Sequence, residues 1–121
     1  MPATRLLLFL AGLAGAAGVA LAAAAAHLGG VGLETAATFL ILHAAALVGI
    51  SALAAGAPGM PFARVALIGG FILFVGLALF SGDLAARAFL DDRLFPMAAP
   101  IGGSLLIGGW IVLAISAAFR R

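Results

Sequence analysis

Apolar residues run along this chain in four long blocks, and nearly all of the charged residues fall at their edges or in the gaps between them. Read in windows of about 19 residues, the blocks are Leu6 to Leu28, Thr35 to Ala55, Val65 to Phe80 and Met97 to Phe119. Each is long enough, or nearly so, for a helix to cross a hydrocarbon core that takes about 20 helical residues. The third is the shortest. Leu84 to Leu90 is rich in helix formers and free of Gly and Pro, so it extends that helix past Asp83 to the interface. The pattern predicts an all-α integral membrane four-helix bundle, a single domain over residues 1–121, with helices at about 4–28, 34–55, 64–90 and 97–119.

The gaps carry turn chemistry. Gly29-Gly30-Val31-Gly32 supplies residues that end a helix, and Glu34 and Thr35 suit the first turn of the next. Pro58 and Pro61 break the second gap. The third, Gly82 to Pro96, holds Asp83, Arg87, Asp91, Asp92 and Arg93. Pro96 and Pro100 mark the start of the last helix, because the first turn has no intrahelical use for its N–H groups. Four crossings put Arg5, Arg64, Arg120 and Arg121 on one side and Arg87 and Arg93 on the other with all four acids, which favours both termini inside. The first block also resembles a signal peptide, with small residues at Ala22 to Ala26, but it is about twice the usual apolar length, so it is expected to remain as a helix.

Composition narrows the chemistry. With 66% hydrophobic and 8% charged residues the chain is built to be solvated by the lipid bilayer. Its basic balance comes from six scattered arginines and offers no patch for nucleic acid. Without Cys there is no disulfide, thiolate metal site or thiol redox chemistry; Lys, Tyr, Asn and Gln are absent as well.

Small residues are abundant, as expected where helices associate in lipid by close contact. Gly12, Ala16 and Ala20 repeat at i+4 in the first helix, with Gly15 and Val19 beside them. Gly69 and Gly76 pair in the third; Gly102, Gly103, Ser104, Gly108 and Gly109 crowd the fourth. These residues are expected to pack the bundle, or alternatively to form a homo-oligomer interface.

Ionisable groups inside a membrane are functional candidates. His27 lies at the outer end of the first helix and His43 about 13 Å deeper than Glu34 in the second. Their depths differ by about 10 Å, which argues against a haem or metal shared by the two. A proton relay through His43, Ser81, Asp83 and His27 is one reading; the other is structural, with His43 bonded to a neighbouring helix and His27 capping the first. Glu34 and the acids of the third gap are expected to be solvated surface charges, and Trp110 to fill a packing gap or face lipid.

The chain resembles the small membrane proteins of domain-of-unknown-function family 423, which includes YgdD-like and YwdK-like bacterial proteins. The resemblance spans nearly the whole chain. It rests on Gly18-Val19-Ala20-Leu21 leading to Ala26-His27, on His43-Ala44, on Leu79-Phe80-Ser81-Gly82, and on Pro100-Ile101-Gly102-Gly103 leading to Gly109-Trp110. It implies a multi-pass protein of the bacterial inner (plasma) membrane, and no reaction, substrate or cofactor comes with it. The family pattern places aromatic and amide residues at 39 and 40, a tyrosine near 85 and a threonine at 99. Here Phe39, Leu40, Ala85 and Ala99 stand there, so several polar partners of the histidines are missing.

Three functions follow in order. The first is a non-enzymatic structural or accessory subunit, without cofactor or metal, that packs with itself or with a larger membrane complex. The second is a small oligomeric transporter or proton conductor, in which only His43 could replace the intramembrane carboxylate such proteins use. The third is an enzyme acting on lipid or quinone at the outer leaflet, with His27 and Asp83 as acid and base.

Overall fold

The computed structural model describes residues 2–120. Four helices follow one another: α1 (Ala3–Leu28), α2 (Val31–Ala55), α3 (Pro61–Leu90) and α4 (Ala98–Ser116), the last continued by a 3-10 turn, Ala117–Phe119. All four are long and apolar enough to span a membrane, and there is no strand among the described residues. α2 starts three residues ahead of the expected position because Glu34 N–H already bonds Gly30 O, which draws Val31 to Leu33 into the first turn. α3 also starts early, at Pro61, whose missing N–H costs nothing at the head of a helix. Pro100 falls inside the first turn of α4 rather than at its first residue.

The connections are where backbone conformation departs from the common regions. Gly29 (φ 73) and Gly30 (φ 101) make the hairpin between α1 and α2. That hairpin, and not His27, closes α1: Gly29 N–H donates to Ala25 O at 2.8 Å. Asp91 and Met97 hold left-handed conformations at the two ends of the α3–α4 loop.

α3 is the hub. It packs against α2, touches α1 and carries α4, which meets no other helix backbone closely. α1 and α2 form the second tightly paired unit. A core of Leu7, Ala11, Leu47, Ala66, Leu73 and Leu77, with Leu106 from α4, joins the helices. The side of α1 that enters this core is Leu7, Ala11, Ala14, Gly18 and Ala25. This overturns the packing expected of Gly12 and Ala16: both are exposed, as is Ala20, and no atom lies within 4 Å of where a Gly12 Cβ would be. At 100° per residue that stripe points away from the Ala11–Ala14–Gly18 side, so it looks into lipid.

On α3 and α4 the glycines at heptad spacing do meet. A Cβ on Gly76 would stand 2.8 Å from Gly102 O and from Leu106 N; one on Gly102 would stand 2.5 Å from Phe80 N. Farther along, a Cβ on Gly69 would stand 3.1 Å from Gly109 O, and one on Gly109 2.7 Å from Leu73 Cγ. At Gly76, Gly102 and Gly109 only hydrogen fits, while at Gly69 a methyl would need the facing helix to give by a few tenths of an ångström. Other small residues of α4 lie outside the seam: Gly108 has no neighbour within 4 Å, Gly103 has Phe80 Cδ1 at 3.9 Å, and Ser104 is exposed. Ser104 turns back on its own helix, its hydroxyl donating to Pro100 O at 2.9 Å.

Candidate functional site

His43 sits 12 residues into α2, about 18 Å along an axis of some 37 Å at the helical rise, hence near mid-membrane. It is buried. Nδ1 lies 2.8 Å from Phe39 O, and Trp110 Nε1 lies 3.1 Å from Nε2. An indole N–H can only donate, so Nε2 is the acceptor, and the ring proton sits on Nδ1 and is donated to Phe39 O. Both ring nitrogens are therefore engaged. The imidazole stacks on Phe39, centroids 5.6 Å apart, and Phe39 lies against Phe80 at 4.7 Å.

The bond from Trp110 crosses from α4 to α2, two helices whose backbones do not pack together. Trp110 faces lipid, as one of the two expectations had it, and in addition bonds His43, which neither foresaw. Its indole is partly lipid-exposed while its one polar atom is turned inward, since a lone N–H in hydrocarbon would otherwise lack a partner.

Ser81 is buried, with its hydroxyl 3.4 Å from Ala36 O on α2, a long and weak contact. Asp83, two residues on, is wholly buried, which corrects its reading as a solvated surface charge. Its Oδ1 accepts Leu94 N–H at 2.8 Å, holding the α3–α4 loop. Its Oδ2 is 2.8 Å from Arg87 Nη2, in ion contact but not aligned as a hydrogen bond, so that oxygen has no hydrogen-bond donor among the described residues. Arg87 keeps half of its side chain exposed, so its head stays hydrated while it covers the carboxylate.

The four polar residues singled out in the sequence therefore occupy separate places. His43 belongs to an aromatic cluster at mid-depth, Ser81 to the α2–α3 contact, and Asp83 to the loop anchor; His27 is exposed at the end of α1. No hydrogen bond links any two of them among the described residues. No group of three His, Asp or Glu side chains is placed there to hold a metal ion. The residues that sequence reasoning passed over are Trp110, which as the single indole in a membrane had to find an acceptor, and Arg87, whose i+4 spacing from Asp83 is the signal of a helical ion pair.

Four apolar helices with His43, Ser51, Ser81, Asp83 and Ser116 buried among them define a polytopic integral membrane protein. The chain belongs to the family described as "Protein of unknown function (DUF423)", whose sequence profile matches residues 14–103. That span takes in His27, His43, Ser81 and Asp83, while Trp110 lies beyond it. Curated relatives are called UPF0382 membrane proteins. One from Staphylococcus haemolyticus is 45% identical over 47 residues, 39% of this chain and 38% of its own. One from Haemophilus influenzae is 43% identical over 53 residues, 44% and 40% of the two chains. The match thus spans about two-fifths of the length of these relatives. No solved structure matches the chain significantly.

Proposed function

We propose that this membrane protein is a non-enzymatic structural or accessory subunit of the bacterial inner membrane, with both termini inside. The observation that carries the reading is the state of His43: a mid-membrane imidazole with one nitrogen bonded to its own helix and the other to Trp110 has no free position for a proton, metal or substrate. It ties α4 to α2. The inside placement of the termini rests on the arginine count at the two ends of the helices.

The exposed stripe Gly12, Ala16 and Ala20 supports the second half of the reading, assembly into a homo-oligomer or a larger membrane complex. Lipid chains pack on such a stripe no better than on any other apolar face, whereas a partner helix gains close backbone contact.

His43→Leu tests the proposal. It leaves the indole N–H without an acceptor, so the protein should lose about 1–2 kcal/mol of stability in a detergent unfolding assay. Proteoliposomes should show no change in proton flux. A variant that keeps its stability but loses a flux the parent protein shows would instead make His43 the centre of a transporter.

A further inference from the structure

At the end of the molecule where α1 begins, a groove of about 350 Å³ opens between the first turns of α1 and the last turns of α2. Leu8, Val48, Ala52 and Ala55 form its walls, and Thr4 and Arg5 stand at its rim. Ser51 also borders it, but its hydroxyl already donates to Thr4 O at 2.6 Å, so the walls offer little beyond hydrocarbon.

The rim is different. Arg5 is exposed, and no Asp or Glu is near it: Glu34 precedes Ala52 by 18 residues of α2, about 27 Å of helix, and Asp83, Asp91 and Asp92 lie at that same far end. The first turn of α1 adds to the positive field. Its first internal bond runs from Leu6 N–H to Pro2 O, so the amides of Ala3, Thr4 and Arg5 have no intrahelical acceptor; no side chain caps them and no acid lies among them. Arg64 and Arg120 share this end of the molecule, and the Arg120 guanidinium is engaged over the Phe62 ring, 4.8 Å from its centroid.

An apolar trough along a membrane span that ends in a free cation and uncapped amides matches a molecule with an acyl chain and an anionic head. We propose that this groove binds an anionic glycerophospholipid, its phosphate held by Arg5 and the opening amides of α1, and one acyl chain lying along Leu8, Val48 and Ala52. Free phosphate would leave the apolar walls unused. A zwitterionic lipid would bring a cation toward an end that already carries Arg5, Arg64 and Arg120.

The test uses the full chain in mild detergent, with phosphatidylglycerol or phosphatidylcholine of matched acyl chains added and retention read by native mass spectrometry. The parent protein should hold phosphatidylglycerol at least about fivefold better, and Arg5→Gln should remove about that factor. Arg64→Gln, a charge change at the same end outside the groove, should stay within about twofold. Ala52→Phe, which fills the trough, should lower retention of both lipids. Circular dichroism establishes that each variant is folded, and should Arg5→Gln fail that check, Ala52→Phe decides. The proposal is overturned if Arg5→Gln keeps the preference, if Arg64→Gln loses as much as Arg5→Gln, or if Ala52→Phe leaves retention unaltered, since either of the last two would mean diffuse annular lipid.

Discussion

α3 and α4 meet backbone on backbone at two levels along their seam, whereas among the glycines of α1 and α2 only Gly18 comes that close to the facing helix. In the first pair, Gly76 and Gly102 face each other so closely that an added methyl would strike a carbonyl oxygen or an amide nitrogen, atoms that cannot swing aside. In the second pair, a Cβ on Gly15 would rest 3.5 Å from Ala44 Cβ, an ordinary contact, while one on Gly18 would meet Ile41 Cγ1 at 2.8 Å, Leu40 Cβ at 3.0 Å and Ile41 N at 3.1 Å, so Gly18 is the one tight point of that pair. Both pairs are apolar and both lie in the same membrane. What differs is the supply of neighbours: α1 and α2 also lean on α3, while the α4 backbone packs on α3 alone and reaches α2 only through the Trp110–His43 bond. Without a hydrophobic drive between helices in lipid, closeness replaces area.

The sharpest way to break this contrast is Gly102→Ala. Overpacking against Phe80 N and Gly76 O should cost about 1–3 kcal/mol or push α4 away, measured by unfolding in mixed micelles; a variant as stable as the parent would mean that the seam is looser than described. A smaller effect is expected from Trp110→Phe, which keeps an aromatic ring but removes the bond to His43. Interhelical hydrogen bonds in membranes contribute about 0.6 kcal/mol on average and up to about 1.7, and the loss should vanish when His43→Leu is already present. Gly15→Ala should do least, lying between no change and a gain of up to about 1 kcal/mol from helix propensity, and a clear loss would erase the distinction between the two pairs.

The number of helices, their approximate limits and the Gly69–Gly76 and Gly102–Gly109 registers are readable from spacing, because length against membrane thickness and heptad repeats are one-dimensional signals. Which face of α1 turns inward is not. In water an apolar stripe marks the core, but here Phe9, Leu13 and Val19 face lipid as readily as Leu7 faces α3, so hydrophobicity distinguishes neither side. Gly12-Ala16-Ala20 and Ala11-Ala14-Gly18 are equally small, and only the placement of α2 and α3 chooses between them. Asp83 shows a second kind of limit. Its pairing with Arg87 is local and legible, whereas its burial depends on Leu94 folding back from the loop, a contact over 11 residues that no spacing rule supplies.

The bond between Trp110 and His43 also makes the molecule its own reporter. The chain has one tryptophan and no tyrosine, so emission excited beyond the phenylalanine absorption band comes from that single indole, whose donor atom sits on the far helix's imidazole. Any rearrangement that draws α4 off α3 changes the hydrogen bonding and polarity around this fluorophore before the helices themselves unwind. Emission wavelength and lifetime therefore follow the least supported helix of the fold, with no label attached.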